Sequence, residues 1–513
     1  MGGDPHAGRA HSHLPRRRAA GEAPRDRVAA LRGSSPARLR IGLLAARRAR
    51  RRGRPAMCTG ACLAEGDQLA TGAHLAGMGQ RRTRAFPPAA KKRGHLRSGG
   101  LAVRICFLLH QGNMYSGGQG VYLAEMCREY VELGHEVHVV VGPPYPELDA
   151  RVVQHRLPDY SVFTAFDEGA AFWNKGVASY FQPLNFYELA TSRAGMFSVM
   201  SAFSLRAFEV VARLHARRPF DLVHDNQSLG YGDLLVRLLG VPVVANIHHP
   251  LAIDRANAVA QARTLCDKIG RVLFYPFHMQ HVVAHRIDRV VTGSRASGDA
   301  VRRAFRLGEA KVAAIHDGVD TSVFHPLGMD REQGRVLFVG NSDDRNKGAR
   351  YLVEALGLMR DRDWQLVVVD RAEAQVVRTR ARELGIEGRV SLTGRLSKGA
   401  LVEEYNRAAV FVSPSLYEGF GLPAAEAQAC GAPVVAAEAG ALPEVVADGV
   451  SGLLVPPGNP RALAEAMRRV MDDGALAGRL GAAGVERIRS EFTWRRTAER
   501  TLALYEEVLA GRR

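Results

Sequence analysis

Two glutamates eight residues apart, Glu418 and Glu426, flank the stretch Gly419-Phe420-Gly421-Leu422-Pro423, and the chain's chemistry concentrates at this spacing around a glycine turn. Proline suits the first turn of a helix and glycine its end, so Pro423 and Gly431 bracket a short helix that begins just after the turn. The amides of Gly419, Phe420, Gly421 and Leu422 then lead into a helix N-terminus, a place suited to anionic or hydroxyl-rich ligands. Glu418 falls on the loop and Glu426 on the helix. The apolar run 409–412 before them reads as a strand. Strand, loop and helix in this order bind ligands beyond the carboxyl edge of a parallel sheet, and two carboxylates there suit a sugar and a ribose.

Other segments carry groups that could serve the same ligand. Ser116, Gly117, Gly118, Gln119 and Gly120 follow the first apolar run and open a helical segment, where backbone amides could approach a diphosphate; a tight turn accounts for the glycines equally well. In the loop 340–348, the cations of Arg345 and Lys347 could neutralise a leaving diphosphate without a metal. His248 ends the strand 241–247 and precedes His249 and Pro250, which puts an imidazole at the carboxyl edge. No His, Asp or Cys cluster has metal-ligand spacing, so neither a metal nor another cofactor is expected.

The block Pro414-Ser415 through Glu418-Gly-Phe-Gly-Leu-Pro423 to Glu426-Ala427, with Gly431-Ala-Pro-Val-Val435 and residues 440–444, resembles the E-x7-E signature of glycosyltransferase family 4. Asp317-Gly-Val-Asp320 with Phe324 and Pro326 is similar to the family's interdomain junction, and the resemblance spans about four fifths of the chain, from Val103 onward. It implies a retaining, metal-independent glycosyltransferase of GT-B architecture that uses a nucleoside-diphosphate sugar. It also implies roles. Glu426 would hold the ribose, Glu418 and the amides from Gly419 to Leu422 the donor sugar, and Gly118 would lie beside the phosphates. Lys347 matches the family's loop lysine. Asn341 stands where the family commonly has arginine, so that part passes to Arg345. His248 corresponds to a histidine near the reacting sugar, a hydrogen-bonding group rather than a nucleophile. Arg389 and Val390 would meet the base through main-chain groups.

The elements that must position these residues are legible as an alternation of short β-branched runs with amphipathic segments, the pattern of parallel βαβ units. The first series has strands at Arg104–Leu109, Glu136–Val141, 221–224, 241–247, Arg289–Thr292 and 312–315. A second follows Pro326 at 335–339, Gln365–Val369, 389–392, 409–412 and 433–436. The expected architecture is α/β: a basic extension over 1–100, a Rossmann-like acceptor-side domain over 101–326, a nucleotide-sugar domain over 327–490, and a helix over 491–513 that returns to the first domain.

The net charge of +18 over 513 residues belongs to the extension, where 22 Arg and Lys face 5 Asp and Glu, against 48 and 47 in the remainder. The folded part is therefore close to neutral overall and offers no argument for nucleic acid, which is not expected as a partner. The extension itself reads as disordered. Six scattered cysteines read as reduced thiols. With no long apolar run and no signal-peptide core, the protein is expected in the cytoplasm, with peripheral contact at the inner membrane face as a further option. Residues 160–203 are rich in aromatics, among them Phe172, Trp173, Tyr180, Phe181, Phe186, Tyr187 and Phe197. They read as packing of an insertion, or else as an acceptor or lipid surface. The acceptor is not legible. Rival readings are a non-catalytic sugar-nucleotide sensor or scaffold, and a nucleotide-sugar epimerase on the same scaffold.

Overall fold

The computed structural model describes residues 102–113, 118–158, 181–193, 198–248, 277–370 and 373–512, with scattered positions between 259 and 272. The basic extension, Ser116, Gly117, His249, Phe172, Trp173, Tyr180 and Phe197 lie outside the described residues.

The first series runs β1 Arg104–Leu109, α1 Gln119–Glu132, β2 Glu136–Val141, β3 Val153–Arg156, α2 Pro183–Arg193, α3 Val199–Arg217, β4 Leu222–Asn226, α4 Tyr231–Leu238, β5 Val243–Asn246, α5 Phe277–Arg286, β6 Arg289–Thr292, α6 Arg295–Phe305 and β7 Val312–Ala314. Its strands form a parallel sheet in the order β3-β2-β1-β4-β5-β6-β7. All six residues of β1 are buried, as a strand covered on both faces requires. Successive side chains alternate between faces: Cys106 and Leu108 join Phe203, Val236, Val283 and Val301 from α3 to α6, whereas Ile105, Phe107 and Leu109 meet Leu123 and Met126 of α1.

The second series runs β8 Glu332–Val339, α7 Ala349–Gly357, β9 Gln365–Val369, α8 Gln375–Glu383, β10 Val390–Leu392, α9 Lys398–Arg407, β11 Ala408–Ser413, α10 Leu422–Ala429, β12 Val434–Ala437, α11 Leu442–Val445, β13 Leu453–Val455, α12 Pro460–Asp472, α13 Gly474–Glu491 and α14 Trp494–Ala510. These strands form a parallel sheet ordered β10-β9-β8-β11-β12-β13. Val336 and Phe338 pack on α7, α8 and α12, and Leu337 packs on α9, α10 and α13.

Helix α14 crosses back. Trp494, Ala498, Leu504, Tyr505 and Val508 belong to the same core as β1 and α1. Beside this crossing the two connecting segments touch: Val319 N–H donates to Phe492 O at 2.8 Å, and a Cβ on Gly318 would stand 2.2 Å from Trp494 N.

In each sheet the strand order reverses at one place, between β1 and β4 and between β8 and β11. Connections leave in opposite directions there and open a crevice beyond the carboxyl ends. Two edge strands, β3 and β13, are additions to the sequence expectation. β3 reads Val-Gln-His-Arg and is half-buried or exposed throughout, so it lacks an apolar pattern, and β13 has only three residues.

Candidate functional site

The second sheet's crevice is built from the loops after β8 and β11. Gly348, at φ +67°, turns the first loop against the second so closely that a Cβ would stand 2.0 Å from Pro414 O. Leu416 N–H donates to Asn346 O at 2.7 Å. This seam delivers Lys347 to Glu418: the ammonium lies 2.8 and 3.0 Å from the two carboxylate oxygens, and Ser415 Oγ donates to Oε1 at 2.9 Å. Glu418 is buried, with 8% exposure. A buried carboxylate kept by a forked cation contact and a hydroxyl is a fixed, preorganised charge pair.

The glycine loop then turns through Gly421, at φ +97°, into α10 with Pro423 in its first turn, and α10 closes at Cys430 before Gly431 at φ +74°. Gly421 and Gly431 thus take the left-handed conformations that a side chain would oppose. Glu426 lies one turn into α10, where Tyr405 donates from its hydroxyl to Oε2 at 2.9 Å. Burial pushes the Glu426 carboxyl up to about 7, with the Tyr405 hydrogen bond and the more distant Lys398 opposing. Tyr405 itself is fully buried, its ring held edge-on by Phe324 and Phe411.

From the first domain come Gly118 and His248. Gly118, at φ +71°, precedes α1, and its face lies against Leu422, 3.7 Å from a Cβ built there. His248 follows β5. Its backbone N–H donates to Gln227 Oε1 at 2.6 Å, and its Nε2 lies 2.5 Å from Asn226 Oδ1. Because Asn226 donates from Nδ2 to Gln119 O, its oxygen faces the ring and His248 carries its proton on Nε2. Burial lowers the imidazole to about 4, so the ring is neutral at physiological pH. The Tyr122 ring meets it edge-on at 4.6 Å. Gln227, at φ +84°, is a non-glycine residue held in left-handed backbone at the mouth of the crevice.

The structure therefore gathers Glu418, Lys347, Gly419, Phe420, Gly421, Leu422, Glu426, Gly118 and His248 around one seam. It does not bring Arg345 to the charge pair; that side chain is exposed on the turn Arg345–Lys347, with no ion pair among the described residues. Nor does it bring Arg389 and Val390 there. They stand at the amino end of β10, opposite the crevice, where Arg389 donates to Arg362 O at 2.9 Å and covers the Trp364 ring. Of the aromatic segment, Phe181, Phe186 and Tyr187 are exposed whereas Phe203 is core.

Residues that the sequence left unnoticed complete the site. Tyr405 lies on α9, and Asn226, Gln227, Ser294 and Ser297 stand at or just after the ends of β4 and β6, none of them within a motif. Their signal was positional: each stands at or beyond the carboxyl end of a strand, or on the helix before one.

A family model described as Glycosyl transferases group 1 matches residues 321–487, and one described as Glycosyltransferase Family 4 matches residues 116–323. An MMP alpha-(1->4)-mannosyltransferase of Mycolicibacterium hassiacum is 37% identical over 412 residues, which cover 80% of this chain and 99% of that protein. A D-inositol 3-phosphate glycosyltransferase of Corynebacterium glutamicum is 27% identical over 79% of this chain and 95% of its own length. Among solved structures, sucrose-phosphate synthase from Thermosynechococcus elongatus aligns with a TM-score of 0.62 at 24% identity, over 80% of this chain and 100% of that one. Anabaena HepE in complex with UDP and glucose aligns with a TM-score of 0.57 at 18% identity, over 79% and 100%. These likenesses identify the pair of doubly wound sheets as the GT-B fold.

Proposed function

Because the chain belongs to glycosyltransferase family 4, we propose that this sugar-transferring enzyme takes a hexosyl group from a nucleoside-diphosphate sugar and passes it to a carbohydrate hydroxyl with retained configuration. The observation that carries this reading is the Lys347–Glu418 pair, set beside the amides of Gly419 to Leu422 at the reversal of the second sheet. Mannose is the preferred sugar. The relative with 37% identity over nearly its whole length is a mannosyltransferase forming an alpha-(1->4) bond, whereas the inositol phosphate enzymes match at 27–29%.

In this mechanism Glu426, as its carboxylate, accepts from the ribose hydroxyls. Glu418 and the loop amides hold the sugar, and His248 hydrogen-bonds it from the opposite domain. The bond from the anomeric carbon to the diphosphate oxygen breaks while the acceptor oxygen bonds the same carbon from the same face. The acceptor's proton passes to the departing diphosphate. Lys347 and the α10 N-terminus meet the negative charge that develops there, so the charge is stabilised most where the barrier is highest. A cation and amides already in place perform the neutralisation that a divalent metal performs elsewhere, hence metal independence is part of the proposal. Arg389 and Val390 have no part in this reading, since the base would lie beyond the carboxyl ends of the strands.

The test is a donor screen with GDP-mannose, UDP-glucose, UDP-galactose, UDP-GlcNAc and ADP-glucose, in EDTA and with saccharide acceptors. Transfer from one donor, retained in EDTA, with an α-linked product by NMR and lost in Glu418→Gln, is the expected result. A folded chain that binds a donor and transfers nothing would favour the sensor reading instead.

A further inference from the structure

The glycine loop is held from both domains. Ser294 caps α6, accepting from Ser297 N–H at 3.1 Å, and its hydroxyl donates to the Gly419 carbonyl at 2.6 Å. Ser297 Oγ donates to the same carbonyl at 3.1 Å and lies 3.3 Å from the Tyr417 hydroxyl. Both serines are fully buried. In the same seam Glu444 of α11 accepts from Arg295 N–H at 2.9 Å and Ala296 N–H at 2.8 Å, and His316 Nε2 lies 2.7 Å from its Oε2. Gly419 presses on the His248 carbonyl, which a Cβ would approach to 2.7 Å.

A trans peptide unit points its C=O and N–H in opposite directions, so whatever fixes the carbonyl also fixes the following amide. The Glu418 carbonyl accepts from Ala441 N–H at 3.0 Å, which sets the Gly419 amide from within the second domain. The Gly419 carbonyl is set by Ser294 and Ser297, which belong to the first. The two amides that lead the loop are therefore directed from different domains.

We propose that Ser294 and Ser297 are positioning residues for sugar transfer: their hydroxyls aim the Phe420 amide, so the donor loop is complete only when the two domains are joined at α6. The proposal rests on the reading that this loop holds the donor, and its test separates the two. Glycine is accepted as a helix N-cap and alanine is the best helix former, so the double variant Ser294→Gly/Ser297→Ala removes both donors while keeping α6. With the full chain, at a temperature where the variant is fully folded, kcat/KM should fall about tenfold through loss of orientation. A merely structural role would lower the melting temperature and leave kcat/KM of the folded chain unchanged.

A second readout does not depend on turnover. Amide hydrogen exchange of the peptide 416–424 in the ligand-free chain should be slow in the wild type and faster in the double variant, with α9 unaffected. Unchanged exchange overturns the aiming, whether or not the chain transfers sugar. Faster exchange with unchanged kcat/KM overturns the role in transfer. Inactivity of the wild type with every donor overturns the functional reading, and exchange then decides the contact alone.

Discussion

Lys347 and Glu418 depend on each other, since the ammonium reaches both carboxylate oxygens within 3.0 Å. Lys347→Ala should lower kcat/KM by about 100-fold or more, the usual cost of removing a preorganised charge from a developing anion. Steady-state kinetics at saturating acceptor would measure it. Glu426 makes a different prediction. Its carboxyl is held up to about 7, and it accepts from ribose hydroxyls on both oxygens only as the carboxylate, so donor affinity should rise as pH increases through about 7. Titration calorimetry of donor binding across that range is the measurement, and Glu426→Gln should flatten the curve. The stability effect has the opposite sign. A carboxyl whose folded-state pKa is raised contributes stability below the ordinary carboxylate range and loses it as pH rises through about 7. Glu426→Gln should accordingly melt no lower than the wild type in mildly alkaline buffer while binding donor more weakly, a combination that marks a residue kept for its ligand. Tyr405→Phe removes the hydrogen bond that favours the carboxylate, so it should move the binding curve to higher pH.

Helices and strands were legible where burial imposed a pattern. β1 is buried on both faces and α14 packs along one; β1 was visible in the sequence at its observed bounds and α14 within three residues of them. β3 lies at a sheet edge, half-buried or exposed throughout, and so leaves no apolar signature, whereas β13 is apolar but only three residues long. Arg389 and Val390 illustrate another limit. The strand was legible, but a residue's distance from the crevice depends on which end of the strand it occupies, and these two stand at the start of β10 rather than beyond its end. The contact between the β8 and β11 loops yields the prediction proper to this scale. Gly348→Ala must both hold φ at +67° and place a methyl 2.0 Å from Pro414 O. It should cost about 3 kcal/mol and lower the melting temperature, as read by calorimetry.

Across the whole molecule, charge and core are distributed separately. The first hundred residues carry nearly all of the net charge, while the first core residue among those described is Val103. Deleting residues 1–100 should leave the melting temperature unchanged and kcat/KM within about twofold, because no strand or core residue described here precedes Val103. The opposite end is the sensitive one. Trp494, 3% exposed, sits in the core of the first domain, so Trp494→Ala should cost about 4 kcal/mol, although it lies near the chain's C-terminus. Denaturant unfolding, followed by the fluorescence of the remaining tryptophans, would measure the loss.

That crossing also imposes a schedule on the cell. About 180 residues separate β7 from α14, and at ordinary translation speeds of about 5–20 residues per second the ribosome needs roughly 10–40 s to deliver them. Throughout that interval the face of the first sheet carrying Phe107, with Tyr122 and Tyr130 of α1 beside it, waits without Trp494 and Tyr505. A chain that stops before α14 therefore leaves this earlier-made face without its cover.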